Sequence, residues 1–284
     1  MGSFDIHAFD EAYDKVMAKW PADRETFAVS GEFGTTRGSV CGPVGAPPLL
    51  LLPGGGGATS ASWFANAGEL ALTHRVYAVD LIGEPGHSRR EAGHPLRKAA
   101  DLAAWLDGIL HGLEIDATAL CGHSYGAWIA LHYALYAPHR VRRLALLDPT
   151  QCFAGFGTAY ILRAARMMLG RSARRTRAFL EWETGGARVD PDWLLLQEAA
   201  ARFPFTRPVT GPKPDRAAMA AFDVPTLLLL AENSRAHDVR QVAARAAGSL
   251  PRVEVAVLAD VSHHALPHTN PAELNSRLTA FFDG

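Results

Sequence analysis

Ala117-Thr118-Ala119-Leu120-Cys121 runs into Gly122-His123-Ser124-Tyr125-Gly126, and Ala127-Trp128-Ile129-Ala130-Leu131-His132 follows. The first run is apolar and long enough for one buried strand. The last is longer, weakly polar, and reads as a buried helix. A serine between the two, with a glycine two residues away on either side, marks a sharp and strained turn. Gly122 and Gly126 lack the side chains that would clash where strand and helix nearly touch. The Ser124 hydroxyl then points out at the top of a sheet. The motif alone occurs by chance in many proteins. With the strand before it and the helix after it, Ser124 reads as a nucleophile rather than a bland turn serine.

Outward from this turn, strands and helices alternate. Thr26–Phe33 and Thr36–Cys41 look like two antiparallel strands around Gly34, and Pro43–Pro48 is a turn-rich link. Leu49–Leu52 is a strand too apolar for an edge, and Trp63 and Phe64 begin a helix facing the core. Arg75–Val79, Val141–Leu147, Pro225–Ala231 and Arg252–Leu258 are further strands. Helices are expected over Leu96–Leu110, Ala236–Ala247 and from Pro271 to Phe282. Apolar residues in Phe4–Trp20 also recur at near-helical spacing. That segment either packs on the domain surface or serves as an active-site cover or homodimer contact.

Between Thr150 and Pro225 the strand rhythm stops. Aromatic and leucine residues such as Phe153, Tyr160, Phe179, Trp182 and Trp193 spread over helical segments, followed by a proline-rich stretch from Pro204 to Pro214. Arg163, Arg166, Arg171, Arg174, Arg175 and Arg177 occur there with no acidic residue among them. A solvated helix face accounts for this better than an acidic ligand, because no glycine-rich phosphate cradle accompanies the charge.

From about Thr35 to Phe282 the chain resembles the α/β-hydrolase family of serine hydrolases, of the esterase and lactonase type. The resemblance implies an α/β-hydrolase fold: a mostly parallel eight-stranded sheet flanked by helices, with an inserted helical lid. It divides the chain into an N-terminal helical segment (1–25), a core (26–149 and 225–284) and the lid (150–224). Pro53 followed by Gly54-Gly55-Gly56-Gly57 stands where the family has a His-Gly-x loop. The match places one oxyanion donor at the Gly55 amide, and the second is the amide of Tyr125, just after the nucleophile. Asp80 through Ser88 is similar to the family's Asp-x-x-Gly-x-Gly-x-Ser loop, with an insertion at Glu84 or Pro85. Asp80 is then a loop organiser.

A serine nucleophile needs a general base, and the base needs an orienting acid. In this fold the chain order is serine, acid, histidine. His263 and His264 both follow the last strand. Ser262 sits where the family's Gly-x-Gly-His has its final glycine, which favours His263 as base and leaves His264 to line the pocket. The acid is open. The family's Gly-Glu-x-Asp pattern meets Ala231-Glu232-Asn233-Ser234, with serine in place of the aspartate. Asp148, at the end of the Val141–Leu147 strand, is the preferred acid. Asp238 is the alternative, and Glu232 a weaker third.

The 284 residues suffice for one large domain, and a formal charge of -1 suggests neither nucleic-acid nor anionic-membrane partners. Three cysteines make no disulfide framework. No secretory leader opens the chain, and no apolar run reaches the roughly 18 residues of a membrane span. A cytoplasmic protein is expected, acting on a small-molecule apolar ester or lactone, medium to large in size, through Ser124, His263 and an aspartate. Neither a metal nor an organic cofactor is called for, since His263, His264 and His268 lack partners at liganding spacing. A thioesterase, acyltransferase, cyclase or cofactor-free perhydrolase would use the same machinery. A catalytically silent binding protein is the reading from another class. The serine at the elbow argues against the relatives that use aspartate there.

Overall fold

The computed structural model describes residues 4–204 and 207–284. Phe205 and Thr206, inside the expected proline-rich stretch, lie outside the described residues, as do the first three residues of the N-terminal segment.

The strands are β1 (Glu25–Gly31), β2 (Gly34–Cys41), β3 (Pro48–Leu52), β4 (Arg75–Val79), β5 (Arg89–Arg90), β6 (Thr118–His123), β7 (Val141–Leu147), β8 (Thr226–Ala231) and β9 (Val253–Leu258). They form one sheet in the order β1-β2-β4-β3-β6-β7-β8-β9, with the two-residue β5 beside β2 as a ninth strand. From β4 to β9 the neighbours run parallel, while β2 is antiparallel to both β1 and β4. Parallel strands covered on both faces need apolar side chains throughout. Leu49–Leu52 and Leu227–Leu230 are accordingly buried along their whole length. Leu50 and Leu52 join one core and Leu49 and Leu51 the other, as the two-residue repeat of a strand requires.

The helices are α1 (Ile6–Met17), α2 (Ala67–Leu70), α3 (Ala99–Gly112), α4 (Tyr125–Tyr136), α5 (Thr158–Leu169), α6 (Ala173–Glu183), α7 (Pro191–Ala200), α8 (Arg216–Ala220), α9 (Val239–Ala247) and α10 (Pro271–Asp283). Side chains of α3, α4 and α9 fill the core on one face, and those of α1, α2 and α10 the core on the other. Among the described residues four helices, α5 to α8, form a single insertion between β7 and β8. Among the described residues no helix is long and apolar enough to cross a membrane.

Besides β5, which no expected strand covers, and the later starts of α3 and α9 than the expected Leu96 and Ala236, two elements differ from expectation. The helix expected from Trp63 is a 3₁₀ turn at Ser60–Trp63 followed by the short α2. The helical turn starts ahead of Trp63 because it is capped there: Thr59 takes the Ala61 amide, and the Asp80 carboxylate takes both the amide and the hydroxyl of Ser60. The second is α1, which is shorter than Phe4–Trp20 because Asp5 caps it at the Ala8 amide. It buries Phe9, Tyr13 and Val16 and lies against α7, where Lys19 pairs with Asp190 and Asp192. No residue of α1 lines the cavity described below.

Candidate active site

The carboxyl ends of β3, β6, β7, β8 and β9 lead into the loops that build the site, the position favoured in open α/β sheets. At the end of β6, Ser124 has φ 53° and ψ -114°, a strained conformation for a residue with a Cβ. The turn is as tight as its glycines suggest. A Cβ on Gly122 would lie 2.4 Å from the Gly126 carbonyl oxygen, and one on Gly126 would lie 2.4 Å from that of Leu52.

Ser124 Oγ is 2.8 Å from His263 Nε2, and His263 Nδ1 is 2.6 Å from Asp148 Oδ2. With Nδ1–H donated to the carboxylate, Nε2 is left to accept the serine hydroxyl. Asp148 follows β7 directly, with a positive φ of 42°, and is fully buried. Its Oδ1 also accepts from the Ala231 amide and from His237 Nε2, and its Oδ2 from Ser234 Oγ at 2.7 Å. Burial alone would push this carboxyl up. The hydrogen bonds and charges of His237 and His263 prevail and hold it well below the usual carboxylate range. For His263, burial pushes the imidazole down, but the hydrogen bond and charge of Asp148, with the charge of Glu183, reverse this and raise it.

The other candidate acids do not reach His263. Asp238 is exposed and turns its carboxylate back to the Gln241 amide, capping α9. Glu232 is exposed and accepts from the Asp260 amide. Ser234 stands where the family's pattern has aspartate, and its hydroxyl meets the carboxylate that Asp148 supplies from the neighbouring strand end.

Gly55 lies beside the turn at Ser124, where an added Cβ would be 3.4 Å from Tyr125 Cβ. As the first residue of α4, Tyr125 has an amide with no intrahelical acceptor. The glycine loop is held from two sides: the Gly56 amide donates to Glu84 Oε2, and the Gly57 carbonyl accepts from Gln197 Nε2 of α7. Burial pushes the Glu84 carboxyl up, opposed by the Gly56 amide and by Arg171. Asp80 is buried and ties Ser60 to the amide of His87, and its own carbonyl accepts from the Ser88 hydroxyl.

These groups open into a cavity of about 350 Å³. Its floor is Gly55, Ser124, Tyr125 and Trp128, and its walls include Phe156, Tyr160, Met167, Phe179 and Leu180 of the insertion. His264 lines it too, with Nε2 3.0 Å from Tyr160 Oη. Burial lowers both His264 and His268 to about 4, so each is neutral near pH 7. Among the described residues no group of three or more His, Cys, Asp or Glu could hold a metal ion. Most of the insertion's arginines face outward, but Arg171 lines the cavity and donates to the Phe203 carbonyl.

Residues 49–277 match the family model described as the alpha/beta hydrolase family. The chain belongs to the alpha/beta hydrolase family. This hydrolase is 29% identical to the carboxylesterase YbfK of Bacillus subtilis, over 97% of its own chain and 94% of that protein. The crystal structure of that carboxylesterase (CesB) superposes with a TM-score of 0.89, covering 96% of each chain at 27% identity. A naproxen esterase from Bacillus subtilis is similar over 99% of both chains, with a TM-score of 0.90 and 27% identity. The likeness supports a serine hydrolase acting on carboxylic esters, an enzyme rather than a silent binding protein.

Glu183, His237 and Glu84 escape sequence reasoning. Each lies in an irregular stretch or at a helix end, where no spacing connects it to the serine. Ser262, a hydroxyl where glycine is expected, is the one signal for Glu183, whose carboxylate it meets.

Proposed function

We propose that Ser124, His263 and Asp148 are the catalytic triad of a carboxylic ester hydrolase, and that its substrate is an apolar ester or lactone. The continuous line of hydrogen bonds from serine hydroxyl to buried carboxylate carries this reading. His263 Nε2 takes the Ser124 proton as Oγ attacks the carbonyl carbon. The Gly55 and Tyr125 amides hold the oxyanion, each such donor being worth roughly 3 kcal/mol. His263 then returns the proton to the leaving alcohol, and a water activated by the same ring releases the acyl group. The insertion acts as the lid over this chemistry. The three free, buried cysteines support a cytoplasmic setting.

Labelling with a fluorophosphonate probe tests the triad. Ser124 is expected to react, and an unlabelled wild-type protein would overturn the reading. The rate carries a pH signature as well. Only neutral His263 can accept the serine proton, and its pKa is raised. Labelling should therefore fall as pH drops through a midpoint above the roughly 6.5 of a free imidazole. A midpoint below that value would show that burial prevails over the two carboxylates, and a rate independent of pH across this range would count against His263 as the base.

The lid's apolar wall gives a second expectation. Phe156, Tyr160, Met167, Phe179 and Leu180 offer an acyl or aryl group contact area but few polar partners. Across a series of p-nitrophenyl esters, kcat/KM should rise from acetate to medium-length or aromatic acyl groups. Preference for strongly charged acyl groups would instead make the arginines the specificity element.

A further inference from the structure

Glu183 is the last residue of α6, inside the insertion, and is only 1% exposed. Its Oε1 accepts the His263 amide at 3.0 Å. Its Oε2 accepts the Ser262 hydroxyl at 3.0 Å and the His264 amide at 3.1 Å. All these donors come from the one loop that carries the candidate base, some 80 residues along the chain. On the other side of the same residue, His123 Nε2 donates to the His263 carbonyl at 2.8 Å. His123 directly precedes the nucleophile. The backbone of His263 is thus held at its N–H by the insertion and at its C=O by the nucleophile turn.

A buried carboxylate is an expensive way to fasten a loop, since an apolar side chain of similar size can fill such space without desolvating a charge. The three donors to Glu183 are all neutral, two amides and a hydroxyl, so its negative charge is not cancelled by them. The positive charge that develops nearby is the imidazolium of His263 as it accepts the serine proton.

We propose that Glu183 is a positioning residue for the reaction. It fixes the 262–264 loop so that His263 lines up between Ser124 and Asp148, it favours the protonated ring, and it ties this alignment to the seating of the insertion. The proposal rests on the triad reading above. Ser262 belongs to the same device: the hydroxyl that replaces glycine supplies one of the three donors. The ionisable side chains around His263 are Asp148 and His237 from the β7 and β8 ends, His123 from β6, Tyr160 from α5, its neighbour His264, and Glu183. Of these, the two carboxylates raise the imidazole against burial.

The test compares wild type, Glu183→Gln and Ser262→Ala on one p-nitrophenyl ester, with folding followed by circular dichroism. In Glu183→Gln, kcat should fall about 10- to 100-fold, the scale of a misplaced catalytic group, with KM within about threefold. The sign of the pH effect follows from the charge. Removing a carboxylate that raises His263 lowers its pKa, so the acid limb of kcat/KM moves to lower pH. A merely structural tie would leave that limb in place. An unmoved limb, with kcat reduced or not, therefore overturns the proposal. If Glu183→Gln does not fold, Ser262→Ala decides, since it removes one donor of three. There kcat should drop about three- to tenfold at constant KM, the range of one ordinary hydrogen bond, because the His263 and His264 amides still hold Glu183, and wild-type kcat would overturn the proposal. The two readings fail separately. If the wild type labels at Ser124 and Glu183→Gln is indifferent, only the role of Glu183 falls. If the wild type does not label and Ser124→Ala retains full activity, the triad falls and takes Glu183 with it.

Discussion

Asp148→Asn is expected to lower kcat by up to about 10⁴-fold with a modest change in KM. The loss follows from the hydrogen bond between His263 Nδ1 and Asp148 Oδ2. An ionised carboxylate accepts at every oxygen, so it selects the tautomer with the proton on Nδ1 and leaves Nε2 to take the serine proton. An amide presents an N–H₂ to one side of the same crowded site. Four donors converge there, from Ala231, Ser234, His237 and His263, and the amide cannot accept from all of them. The ring then turns over or takes the wrong tautomer while Ser124 stays in place. Asp238→Asn is the control. Asn caps a helix about as well as Asp, so α9 should keep its start and kcat its wild-type value. Folding of both variants is to be checked by circular dichroism. A crippled Asp238→Asn beside a nearly normal Asp148→Asn would reverse the assignment.

Ser124→Ala should lose at least about 10³-fold in kcat and keep its fold. Alanine and serine share the Cβ that makes φ 53° costly, so the exchange adds no backbone strain at the turn. The glycines that permit the turn are untouched, and the hydroxyl takes with it its hydrogen bond to His263 Nε2. The variant should no longer react with a fluorophosphonate and should unfold near the wild-type temperature. Turnover close to wild type would show that ester cleavage does not pass through this hydroxyl.

The sequence is most legible where burial is complete. Leu49–Leu52 and Pro225–Ala231 read as strands because parallel strands covered on both faces tolerate little else, and the structure has them as β3 and β8. The turn around Ser124 is legible because its chemistry is local: five consecutive residues carry both the strain and its relief. By contrast, β5 has two residues, too few for any period to show. The helix expected from Trp63 instead starts at Ser60, where Thr59 caps it, and capping by a side chain is an effect hydrophobic spacing does not register.

The acid stayed open in the sequence for a geometric reason. Adjacent parallel strands bring the ends of β7 and β8 side by side, although Asp148 and Ser234 are 86 residues apart in sequence. Either strand end could deliver a carboxylate toward His263, and no local pattern reveals which one does. What lies between the two ends in space is visible only once the sheet is assembled. The same holds for Glu183, whose partners depend on how α6 settles against the loop after β9.

The insertion leaves the core after β7 and rejoins it at β8, through a single gap. Its contribution to the cavity wall is therefore a cassette with two seams, and an engineer could exchange that wall without cutting the strands that deliver Ser124 and Asp148. The cassette is not inert toward the core, however. Its second helix ends on a carboxylate that holds the loop of His263, so a foreign cassette without an acid at that helix end would bring a new pocket shape and leave that loop unlatched. Compatibility between donor and recipient would then turn on matching one acid in the cassette to one hydroxyl in the core, a far narrower criterion than overall likeness of the two insertions.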